Sequence, residues 1–184
     1  MIKKINFGGD EMALKALGCI FILGGCTLIG FILGENLKNR LLQLKEIEQA
    51  LYVLQNEIVY TRTSLPEIFF HVGEKCIKPI NHIFFQVSKL LSDNEVDSVY
   101  EGFEKSLQDN YDLISLKKED LNVLMDMART LGESDIEGQR NILNLSINNI
   151  KKQIKDADTT MQKNTKMYRY LGFSFGAILV IMIL

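Results

Sequence analysis

Residues 134–184 read SDIEGQRNILNLSINNIKKQIKDADTTMQKNTKMYRYLGFSFGAILVIMIL and contain no proline. The stretch reads as one helix that changes solvent halfway. Ser134 can cap it, with Glu137 three residues on to close a capping box. Apolar residues then recur near a period of seven: Ile136, Leu143, Ile150 and Ala157 in one row, Ile147, Ile154, Met161 and Tyr168 in the other. Polar residues fill most of the opposite side, which predicts a solvated helix with one buried seam. After Arg169 the polarity stops, and Tyr170 to Leu184 carries no charge. At 1.5 Å per residue such a helix would run about 75 Å, longer than a small domain is wide. One end belongs in a bundle and the other in a bilayer.

The first forty residues have a matching change of character. Ala13 to Leu33 is apolar except for Lys15 and Thr27. A hydrocarbon core about 30 Å thick needs about 20 such residues, and Lys15 at the edge can snorkel. Leu23-Gly24-Gly25-Cys26 resembles a lipoprotein cleavage box, with Cys26 as the lipidated residue. The apolar run continues through Leu33, however, which favours an uncleaved anchor. From Glu35 to Tyr60 a second seam begins: Leu37, Leu44, Leu51 and Ile58 in one row, Ile47 and Leu54 in the other. The long C-terminal helix is its obvious mate.

Between the two long helices the signals are short. Ser64-Leu65-Pro66-Glu67 is a capping box with proline in the first turn, opening a helix with Leu65, Ile68, Phe69, Val72 and Cys76 on one face. Pro79 opens the next, with Ile80, Ile83, Phe84, Val87, Leu90 and Leu91, and Ser92-Asp93-Asn94 breaks it. Val96, Val99, Tyr100, Phe103 and Leu107 define a fourth. Leu116 to Leu131 is the fifth, with Leu121, Leu124, Met125, Ala128 and Leu131 inward and Gly132 at its end. Such short helices must pack against the long ones. The expected fold is all-α: a six-helix antiparallel bundle over 35–169, flanked by transmembrane helices at 12–34 and 170–184.

Lys38, Arg40 and Lys45 follow the first anchor, and Lys163, Lys166 and Arg169 precede the second, so the positive-inside rule predicts a cytoplasmic bundle. The second apolar run, about 15 residues or about 22 Å, requires local thinning of the bilayer. Residues 1–11 fit neither helix nor anchor. Gly8-Gly9-Asp10 must be encoded by GGN-GGN-GAY, which can contain a bacterial ribosome-binding sequence just upstream of the Met12 codon. Translation is therefore expected to start at Met12, the alternative being a real N-terminal tail.

Little in the chain suggests chemistry. The net charge of −2 and the lack of a basic stripe speak against nucleic acid. His71 and His82 lack a second His or Cys at ligand spacing, so no metal or cofactor is expected. Cys76 falls on an apolar stripe, as a small core residue would. Glu119 and Asp120 read as first-turn residues answering the helix dipole. Two features stand out. Gly30 with Gly34, and Gly172 with Gly176, have the GxxxG spacing that lets membrane helices approach closely, within one chain or between copies in a homo-oligomer. The turn Leu131-Gly132-Glu133-Ser134-Asp135-Ile136-Glu137 offers Glu133, Asp135 and Glu137 around Ser134 as a negative patch for a basic partner surface. Its simpler reading is a well-capped turn.

ALYVLQNEIVY (50–60), SLPE (64–67), LKKED (116–120), LGESDIEGQ (131–139) and KMYRYLG (166–172), in this order, resemble the stage III sporulation AB family of endospore-forming bacteria. That family is related to the inner-membrane F protein of type II secretion and type IV pilus machines. The likeness spans about Met12 to the last residue; Tyr100 stands where a tryptophan is expected. It implies a non-enzymatic membrane platform in the mother cell, part of the channel apparatus linking it to the forespore. Its partners would be the lipid bilayer, a cytoplasmic sporulation ATPase (the AA protein) and other membrane proteins of the stage III A operon. A membrane-tethered coiled-coil sensor or tether is the rival reading.

Overall fold

A computed structural model of the chain describes residues 7–60, 63–131 and 135–183. The described residues form six α-helices: α1 (Phe7–Tyr60), α2 (Leu65–Lys75), α3 (Ile80–Ser92), α4 (Val99–Asp109), α5 (Lys118–Thr130) and α6 (Ile136–Ile183). A single 3-10 turn, Tyr111–Leu113, follows α4. The described residues include no strand, and the fold is all-α. Two compact units divide the chain: unit 1 comprises Met1–Leu37 with Thr160–Leu184, and unit 2 comprises Lys38–Thr159.

The core of unit 2 follows the seams. Leu44, Ile47, Leu51, Leu54 and Ile58 of α1 are buried, as are Leu143, Ile147, Ile150 and Ala157 of α6. Within unit 2, Gln55 Nε2 donates to Asn144 Oδ1 at 2.9 Å, and Lys151 Nζ lies 4.0 Å from Glu48 Oε1. Numbers that rise along one helix fall along the other, so the pair is antiparallel. The short helices pack in sequence, α2 on α3, α3 on α4 and α4 on α5. Their apolar faces meet at three rings. Phe103 stands edge-on to Phe69 and Phe84, with centroids 5.5 and 5.7 Å away, the T-shaped geometry that ring quadrupoles favour. Cys76 is buried as well, and desolvation, with Glu46 nearby, pushes its thiol up to about 12.

The helix ends correct the sequence reading in five places. Phe7 to Glu11, expected to be non-helical, belong to α1; extending a formed helix costs little. Met1 to Asn6 lie outside the described residues. Ser64 takes the N-cap position of α2 without a side-chain hydrogen bond, so no capping box forms. α4 begins at Val99, not Val96, because Ser98 Oγ accepts the Glu101 N–H at 3.2 Å. On α5, Val123 and Met127 are buried in place of Leu121 and Met125, turning the inward stripe toward Asp120. Asp135 caps α6, its Oδ1 accepting the Gly138 N–H at 2.9 Å; Ser134 lies outside the described residues.

One break is more specific than its sequence promised. After α3, Asn94 adopts φ 53°. The Glu95 N–H reaches the Leu90 carbonyl at 2.9 Å, and the Asn94 N–H reaches Leu91 at 3.3 Å. This is the Schellman pattern, with asparagine in the left-handed position that glycine usually fills.

Candidate functional site

In unit 1, α1 and α6 meet through the four glycines read from the sequence. A Cβ built on Gly30 would stand 2.6 Å from the Tyr168 carbonyl oxygen and 3.2 Å from the Gly172 Cα. One built on Gly172 would stand 2.7 Å from the Cys26 carbonyl oxygen. Only hydrogen fits at these two positions, so the contact is backbone on backbone. Gly176 faces Cys26 and Leu23, and Gly34 faces the Thr165 methyl at 3.3 Å. The structure therefore brings Gly30 and Gly172 together, while Gly34 and Gly176 each meet other side chains. Large apolar residues point outward from this contact: Phe21 is 73% exposed and Ile181 77%, with Leu28, Ile32, Phe173 and Phe175 also exposed.

In unit 2 the patch around the α5–α6 turn is partly described. Asp135, Ile136 and Glu137 are exposed; Gly132, Glu133 and Ser134 lie outside the described residues. Beside it, the ends of α2, α3, α4 and α5 frame a cleft of about 580 Å³. Leu65, Leu91, Val96, Val99 and Leu131 line it, and Arg129 lies over the Tyr100 ring with its guanidinium carbon 4.9 Å from the centroid.

A buried charge pair escaped the sequence reading. Arg40 Nε and Nη2 donate to Asp120 Oδ2 and Oδ1 at 2.8 and 2.9 Å, a bidentate fork. The Lys117 N–H donates to the same Oδ2 at 2.8 Å. Arg40 is 5% exposed and Asp120 is fully buried. Asp156 of α6 stands 3.5 Å from Nη1, close enough for an ion pair though Nη1 makes no aligned hydrogen bond. The hydrogen bond to Asp120 raises the Arg40 pKa above its ordinary value against the opposing effect of burial. Asp120 thus does more than answer a helix dipole: it ties α1 to the start of α5. The readable signal was positional. Seven residues before Ile47, in the row Ile47–Leu54, stands Arg40, a charge in a core register.

Among the described residues no three His, Cys, Asp or Glu side chains gather as a metal would require. His71 Nδ1 lies 4.0 Å from Glu57 Oε2 on a half-exposed surface.

The family model of stage III sporulation protein AB matches residues 15–184. The chain belongs to this family. Stage III sporulation protein AB of Bacillus subtilis (strain 168) is 31% identical over 171 residues, spanning 93% of this chain and 99% of that one. A solved structure of a stage III sporulation protein AB superposes with a TM-score of 0.62 at 28% identity, covering 67% of this chain and 97% of its own. The sporulation assignment and the helical fold thus rest on sequence and structure together. Tyr100 keeps an aromatic ring under Arg129 where a tryptophan was expected.

Proposed function

We propose that this chain is a two-span membrane platform of the mother cell, coupling a cytoplasmic ATPase to the channel apparatus built against the forespore. The observation that carries the reading is the inside-out construction of unit 1. Its helices touch through glycines while its large apolar side chains face outward. Water would penalise that surface; hydrocarbon does not, and in lipid close backbone packing becomes the main attraction between helices. α1 is long and apolar enough to cross a membrane, with a mean hydropathy of 2.3 over its best window. The uncharged end of α6 supplies the second span, and the flanking lysines and arginines set unit 2 in the cytoplasm.

Unit 2 works by contact and performs no reaction. The turn leading into α6 is where the ATPase docks, because a load taken at Asp135 passes along one continuous helix toward the second span. Glu133, Asp135 and Glu137, with Ser134 among them, offer the negative patch, and the remaining stage III A-operon membrane proteins meet the spans. The test is capture of the ATPase by the full chain in nanodiscs. Glu133→Lys with Glu137→Lys, leaving the capping Asp135 untouched, should abolish capture while the melting of unit 2 stays the same. Capture that survives the double reversal places the ATPase elsewhere and favours a tether.

A further inference from the structure

We propose that the cleft bounded by α2, α3, α4 and α5 is a socket for a protein segment presenting one carboxylate beside an apolar side chain. The inference rests on the reading that this end of unit 2 meets the ATPase, and it names the chemistry of that contact. At about 580 Å³ the cleft can seat one or two large side chains. Leu65, Leu91, Val96, Val99 and Leu131 give it apolar walls.

Arg129 decides the polarity of the occupant. Among the described residues its guanidinium has the Tyr100 ring as a partner and no carboxylate. A guanidinium laid on a ring keeps its in-plane N–H groups free, in the fork that matches a carboxylate bidentately. The ring also fixes the side chain before any partner arrives, which lowers the ordering cost of binding. Asp97 lines the same cleft and disfavours a second acidic group, so the segment carries one. The socket therefore recognises the opposite charge from the acidic patch at the α5–α6 turn. Two patches of opposite sign at one end of a bundle fix the rotation of a partner, where a single patch would leave it free.

The test uses the full chain in nanodiscs and the purified ATPase, with affinity measured for the wild type, Arg129→Glu and Val96→Trp. Arg129→Glu reverses the recognised charge, and Val96→Trp fills the cleft. Each should weaken binding at least tenfold with the thermal transition of unit 2 unchanged. Binding that survives either variant overturns the socket while leaving the platform reading intact. Absence of binding by the wild type overturns both. If Arg129→Glu instead dissolves self-association of the chain, the cleft serves a second copy and the proposal fails.

Discussion

α1 and α6 meet once in each unit, and the two meetings follow opposite rules. In unit 1 the contact is made by Gly30 and Gly172, and the bulky residues face outward. In unit 2 the two helices bury Leu44, Ile47, Leu51, Leu143 and Ile150, and most of their polar residues face outward, Arg40, Gln43 and Ser146 being buried exceptions. The difference is one of solvent. Water drives large apolar side chains together, whereas lipid is as apolar as leucine and leaves close packing and hydrogen bonds as the attraction. A leucine that stabilises one meeting would wreck the other.

The largest expected effect concerns the charge pair that unit 2 buries. Asp120→Ala leaves Arg40 charged and unpaired, which should destabilise unit 2 by about 3–5 kcal/mol. Arg40→Met with Asp120→Leu should recover most of that loss, since a well-packed apolar pair is often as stable as a buried ion pair. Denaturant unfolding of both variants checks this; equal losses in the two would mean that packing, not charge, is what Asp120 supplies.

A smaller effect sharpens the other half of the comparison. With Gly176→Cys, the native Cys26 has a partner whose Cβ would lie 3.1 Å away, near the span of about 3.5–4.5 Å that a disulfide bridges. Mild oxidation should close the bond within one chain. Gly30→Leu in the same chain should prevent it without moving the melting of unit 2. A cross-linked dimer instead would assign the glycine contact to two copies.

The smallest concerns pH. The folded Cys76 thiol, pushed up to about 12, holds its proton where an unfolded thiol has released it. Its contribution is therefore fully present below about pH 9, the ordinary thiol range, and stability should decline as pH rises from there toward 12. Cys76→Ala should flatten that slope. An unchanged slope would place its origin in another group.

Most of the fold was legible because its signals are local. A heptad row needs only its own helix, so Leu44, Leu51, Leu143 and Ile150 were readable one by one. The glycine spacing was equally readable, although spacing alone left open whether one chain or two make the contact. The Arg40–Asp120 pair was not read, since its partners stand 80 positions apart and each has an ordinary local reading, as a basic flank of an anchor and as a first-turn acid. The α5 stripe was misjudged for the same reason: burying Asp120 turns the helix, and no periodicity within α5 reports a partner on α1. Likewise, nothing near Arg129 or Tyr100 in sequence announces that helices α4 and α5 stack one on the other.

Topology tests the platform reading most directly. In a chain with Cys19, Cys26 and Cys76 replaced by alanine, Asp93→Cys and, separately, Met182→Cys can be probed with a membrane-impermeant maleimide on intact protoplasts. The two-span account predicts labelling at position 182 without permeabilisation and at position 93 only after it. Labelling of position 93 on intact protoplasts would put unit 2 outside the cytoplasm and contradict the account.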